Sequence, residues 1–194
     1  MTKRYVAASR SAIATAIRAT IDATGESWTS AVDVVTEWPS AAKSTKRATV
    51  VVTMSPRATV RTHVPRLASQ SDSGGSTEAR WHTGRWTSPG QIDVFTQLET
   101  HLDGLVPVVR AALNHAVPQF TGACLSLGSD YYNETVTVSL DDEPEGLNDG
   151  PMGGEWRHTF AVTVRGAVVA TSTHVLEQRF TVTEDGDTIV DISS

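Results

Sequence analysis

Within the 194 residues of this chain, the closest approach to a catalytic pair is His101 and Asp103, in the stretch ETHLDGL. A histidine oriented by a carboxylate can act as a general base. The surrounding spacing, with Leu98, Leu102, Leu105, Val109, Ala112, Leu113 and Ala116 three or four positions apart, predicts a helix. On a helix, residues two apart project about 200° from one another and do not meet. Asp103 is therefore read as a helix-start carboxylate, favoured by the positive end of the helix dipole. No catalytic residue is expected here.

The second candidate is acidic. Asp141, Asp142, Glu143 and Glu145 open the Gly- and Pro-containing segment from Asp141 to Glu155. Carboxylates can hold a divalent cation, but the alternating ligands and central glycine of a calcium loop are absent. A solvated loop or a charged contact surface is expected instead. The histidines (His63, His82, His101, His115, His158 and His174) are scattered without HExxH spacing. Cys124 is the only cysteine, which excludes an intrachain disulfide and a thiolate cluster. Its neighbours in ACLSL predict a buried strand thiol. Phosphate-binding glycine loops and the GxSxG elbow are missing as well. Neither cofactor nor metal is expected.

Arg80, Trp81, His82, Arg85 and Trp86 form an aromatic and basic cluster. Trp and Arg anchor protein interfaces, and tryptophans on a hairpin can equally cover one edge of a core. Base stacking ranks below both. The net charge of −6 also disfavours tight nucleic-acid binding, which usually needs a basic stripe. The candidate interface residues are Arg80, Trp81, Arg85 and Trp86, together with Asp141, Asp142, Glu143 and Glu145.

The elements that must position these residues follow from periodicity. Val6, Ile13, Ala14, Ile17 and Ile21 draw one apolar stripe, predicting a helix from about Ala7 to Ala23 that Gly25 closes, with Arg18 facing solvent. Val32 to Trp38 reads as a strand that either stops before Pro39 or lies on an edge, and Arg47 to Met54 as a central β-branched strand. Val60 to Trp86 is an excursion whose polar part, SQSDSGGST, predicts an exposed or mobile loop. Gln91 to Leu98 alternates, with Ile92, Val94 and Thr96 on one face and Asp93, Phe95 and Gln97 on the other. It leads into the second helix, where Pro107 either kinks the helix or lies in the first turn of its main part. The C-terminal third predicts strands at CLSL, ETVTVSL, Trp156 to Ala170, His174 to Val182 and TIVDI. The fold class is α+β, a mainly antiparallel sheet flanked by two α-helices with long projecting loops. One domain over 1–194 is expected, with a long excursion at about 60–90 and an acidic loop at about 141–155. No apolar run approaches the roughly 18 to 20 residues that span a bilayer. Polar residues interrupt the N-terminal segment where a signal peptide needs an apolar core, so neither a membrane partner nor export by that route is expected.

This order of elements resembles the tail terminator, or tail-completion, proteins of long-tailed bacteriophages. In that family a helix precedes strands, a long loop or hairpin projects, and a strand runs into a second long helix before the sheet is finished. The matching pieces are Ala7 to Ala23, Arg47 to Met54, the Val60 to Trp86 excursion, GQIDVFTQLETHLDGLVPVVRAAL and WRHTFAVTV. The Ser69 to Gly90 loop and the strands after Val164 go beyond a minimal version. The resemblance implies a structural virion protein at the head-proximal end of the tail, assembled in the host cytoplasm. It implies a homo-oligomer, a hexameric ring that caps the tail tube protein, ends its polymerisation and meets the head-side connector protein. DNA would pass through the lumen without specific binding. Two alternatives stay open. One is another neck, tube or baseplate adaptor; the other is a small cytoplasmic enzyme or ligand-binding domain using His158, Trp156 and Glu177.

Overall fold

The computed structural model describes residues 2–37, 48–73, 76–113, 123–128, 134–141, 149–152, 155–175, 180–184 and 187–191. Helix α1 (Thr2–Ala23) is followed by a short 3-10 turn (Ser27–Ala31) and strand β1 (Val32–Val35). Then come β2 (Ala48–Met54), β3 (Thr59–Ser73), β4 (Ser76–Thr96) and helix α2 (Glu99–Leu113). Strands β5 (Ala123–Ser126), β6 (Thr135–Leu140), β7 (Asp149–Met152), β8 (Glu155–Val175), β9 (Phe180–Glu184) and β10 (Asp187–Asp191) complete the chain. The eight-stranded sheet has the order β1-β2-β4-β8-β6-β5, with β3 added to β4 and β7 to β8, while β9 and β10 form a separate hairpin. The fold is α+β with a mainly antiparallel sheet, as the periodicities predict. Edge strand β1 is the exception, running parallel to β2. No helix among the described residues is long and apolar enough to cross a membrane.

The stripe on α1 does what its spacing requires. Val6, Ile13, Ile17 and Ile21 are buried. Ser9 shares their face and is fully buried because its hydroxyl donates to the Tyr5 carbonyl at 2.8 Å. Gly25, at φ +69°, adopts the left-handed conformation that ends helices. Arg18 departs from expectation: half-buried rather than solvent-facing, it donates from Nη1 to the Val32 carbonyl at 2.7 Å and pairs with Asp22.

The α1 and α2 helices pack on each other, α1 also meeting β1, β2 and β5 and α2 meeting β6. Register explains which residues lie beneath them. Val50 pairs with Val94 and Val52 with Ile92, while Val138 pairs with Val164 and Leu140 with Val162. The Arg110 guanidinium of α2 lies 5.9 Å from the Phe160 ring centre, which places Phe160 on the same face. Helix α2 is continuous through Pro107, burying Leu102, Leu105, Val109, Ala112 and Leu113. Leu98, placed on that stripe by its spacing, is exposed.

Two compact units divide the chain. The first is Met1–Arg61 with Trp86–Ala167; the second is Thr62–Arg85 with Val168–Ser194. The predicted excursion at about 60–90 thus supplies the opening segment of the second unit. It is a long hairpin, not a loop: β3 continues through Pro65 to Ser73 and β4 begins at Ser76. The polar stretch SQSDSGGST is exposed from Ser69 to Asp72, yet its described residues, Ser69 to Ser73 and Ser76 to Thr77, are strand. Backbone pairing with β4 needs no apolar side chain, so polarity alone misread it. Likewise β8 runs unbroken through Thr171 to Thr173, where a break between two strands was expected. Part of the acidic segment forms β7, with Met152 paired to Glu155.

Candidate functional site

The most concentrated polar site in the first unit surrounds Asp93, which sequence reasoning placed only on the outward side of its strand. Its residue has no exposed surface. Arg157 donates to Oδ1 from Nε at 3.1 Å and from Nη2 at 2.8 Å, and the Thr159 hydroxyl donates to the same oxygen at 2.7 Å. The Gln91 amide lies 2.8 Å from each carboxylate oxygen. Strand alternation builds this cluster: Gln91 and Asp93 share one face of β4, and Arg157 and Thr159 share one face of β8. The Arg157 guanidinium also sits 5.4 Å from the Phe95 ring centre. Every Asp93 oxygen is engaged, so the carboxylate clamps two adjacent strands. The one available signal was an acid amid β-branched residues, and its partner lies 64 positions away.

His101 and Asp103 do not form a pair. The His101 ring stacks on Trp28 at 5.1 Å between centres and 5° between planes. Asp103 is exposed in the second turn, and Glu99 is the first-turn acid, so the helix-start role belongs to Glu99. Gly104 makes room for the indole; a Cβ there would lie 3.1 Å from Trp28. The pair thus resolves into a packing contact.

The aromatic and basic cluster divides between the units. Trp86 is 1% exposed and belongs to the first unit's core, where its indole covers Gly166. It is therefore not an interface residue: its position in β4 alternates in phase with Ile92 and Val94 and faces the same side. Trp81, half-buried in the second unit, donates from Nε1 to the Ser172 hydroxyl at 3.1 Å. Arg80 is half-buried with Glu78 at 3.4 Å. Arg85 is exposed. His82 is half-buried.

Of the acidic candidates, Asp141 is exposed and accepts the Thr163 hydroxyl at 2.7 Å. Asp142, Glu143 and Glu145 lie outside the described residues, as does Glu177. His158 is buried edge-on to Phe160, with centres 4.5 Å apart, while Trp156 is half-buried. The predicted burial of Cys124 is overturned: its thiol is exposed because Ala123 and Leu125 occupy the inward phase of edge strand β5. Among the described residues, no group of three or more His, Cys, Asp or Glu is arranged to hold a metal ion. An open groove of about 700 Å³ follows α1 from Ala7 to Ala19 beside Leu125 to Gly128, lined chiefly by small side chains.

Strand β3 (Thr59–Ser73) is the most exposed of the described elements. Every residue from Thr59 to Asp72 is exposed, on both faces of the strand, with Val64 at 82% and Leu67 at 51%. A strand bare on both sides satisfies its backbone through β4 but buries none of its own apolar side chains. No known protein family and no curated protein matches the chain.

Proposed function

We propose that this protein is a structural assembly subunit of the phage tail terminator type. It would form a closed homo-oligomeric ring on the last ring of the tail tube and offer its other face to the head-side connector. The observation that carries this reading is the β3–β4 hairpin, whose outer strand exposes apolar side chains on both faces. Such a strand gains stability when a neighbour covers it. The order of helix, strands, hairpin, strand and second helix supports the same reading. The role is non-catalytic, with Asp93 and His101 acting in packing. An adaptor elsewhere in the neck, tube or baseplate would use the hairpin in the same way, and the protein's location in the particle separates the two.

Imaging tails made without the protein tests the assignment. Tubes of uncontrolled length that fail to join heads are expected. Tails of normal length that join heads would refute it, and labelling at the distal end would favour the adaptor.

A further inference from the structure

The sheet is open at two ends. Neighbouring strands run β5-β6-β8-β4-β3, and among the described strands β5 pairs with β6 alone and β3 with β4 alone. On β5, the Leu127 N–H donates to the Glu134 carbonyl at 2.9 Å, in register with the pairs Leu125–Val136 and Ala123–Val138. Antiparallel pairs alternate between hydrogen-bonded and non-bonded residues. The backbone N–H and C=O of Cys124 and Ser126 therefore point to the open edge. That edge borders the groove of about 700 Å³ along α1, where half-buried Leu125 and Leu127 line one side. A surface helix usually turns charged side chains to solvent. Here Ala7, Ser11, Thr15 and Ala19 are the exposed residues of the groove and leave the backbone approachable.

The complementary shape is on β3. Alternation puts Val60, Thr62 and Val64 on one face and Arg61 and His63 on the other. All five are exposed in the chain itself, so its own groove does not hold them. Five strand residues span about 17 Å, and the helix face from Ala7 to Ala19 spans about 18 Å. Pro65, which follows, fits an edge strand.

We infer that residues 60–64 of β3 add as a strand to the open edge of β5 in a second copy of this chain, with Val60, Thr62 and Val64 seated on the small side chains of α1. The backbone groups of Cys124 and Ser126 supply the pairing, and the groove selects the strand face. Arg61 and His63 then point away from α1, so no guanidinium is driven toward Arg10, the charged residue that lines the groove. The occupant is a second copy because β3 and β5 are the two ends of one sheet. Joining them continues that sheet from copy to copy. The two edges differ, so the contact is heterologous and repeats head to tail until the rotation closes. The inference rests on the ring reading above and adds which surfaces meet.

Cys124 reports the contact directly. Its exposed thiol lies on the face of β5 opposite to Leu125, and alternation puts Arg61 and His63 on that same face of the added strand. Residues directly opposite on paired strands have Cα atoms about 4.5–5.5 Å apart, within the span a disulfide bridges. In the full chain, Arg61→Cys or His63→Cys should therefore form an intermolecular disulfide with Cys124 on mild oxidation, identified by peptide mass. Adding Cys124→Ser should abolish it. In sedimentation, Thr15→Trp, which fills the groove from an exposed helix position, should weaken assembly about tenfold or more. Val64→Asp should do the same from the strand side. Assembly unchanged by both substitutions, with no disulfide from position 61 or 63 to Cys124, overturns the inference while leaving the ring reading in place. An unaltered chain that is monomeric throughout overturns both. A loss of assembly with only one of the two substitutions shows that strand and groove do not meet each other, and also overturns the inference. Should either variant fail to fold by circular dichroism, cross-linking decides: absence of the disulfide to Cys124 is the contradicting result.

Discussion

At Asp93 a carboxylate with no exposed surface is held by Arg157, Thr159 and Gln91. Removing the cation leaves that charge buried without compensation. Arg157→Met should cost about 3 kcal/mol, the lower part of the range for breaking such pairs, because the Arg157 side chain is itself 35% exposed. Adding Asp93→Leu should restore much of the loss, since an apolar pair needs no desolvation of charge. Urea denaturation of the two variants measures both effects; a single variant as stable as the parent would remove the clamp from this description. Asp22 provides a pH-dependent counterpart. Its hydrogen bonds from Arg18 hold its carboxyl below the ordinary value of 3.8. The stabilisation is then present above 3.8 and disappears as pH falls through the lowered folded value. Asp22→Asn should lower the thermal midpoint slightly at neutral pH, by an amount that shrinks as pH falls below 3.8. A difference that persists in acid would contradict the pairing.

Two glycines distinguish rigid from yielding contacts between elements. A Cβ on Gly166 of β8 would stand 2.7–2.8 Å from the Trp86 indole of β4, and Trp86 has no room to retreat. Gly166→Ala should destabilise by about 2 kcal/mol through overpacking. Gly104 of α2 would place its Cβ 3.1 Å from half-buried Trp28, which can shift. There the helix-propensity gain of about 1 kcal/mol should offset the contact, leaving Gly104→Ala close to neutral. Thermal unfolding of both variants checks the contrast, and equal effects would contradict it. These contacts also mark how far the elements were legible in the sequence. The α1 and α2 stripes and the alternation of β4 around Ile92 and Val94 could be read because each burial pattern is local. The close approach of Gly166 to Trp86 left no local signal because the two lie 80 positions apart in the chain, and the polar run Thr171 to Thr173 is where one strand was read as two. The start of β3 could be read as extended in ATVRTHV, but its polar end was hidden for the opposite reason: its side chains bury nothing, so no alternation marks it. The parallel pairing of β1 left no trace in its four residues.

For the molecule as a whole, the organising facts are two compact units and an outer strand with both faces bare. The chemistry suggested by His101 and Asp103 dissolves into a stacked ring and an exposed acid. That of Trp86 dissolves into core packing, leaving Arg85, the partly exposed Arg80 and Trp81, and Asp141 as the described candidates for contact. Buried Asp93 joins two strands and β3 is bare on both faces, which supports the proposal that the protein meets copies of itself. The mass of the native protein in solution, measured at low salt, tests this claim most directly. A single species at a fixed multiple of the 20.8 kDa chain, seen as a closed ring by electron microscopy, is the predicted result. A strict monomer at every concentration would contradict it.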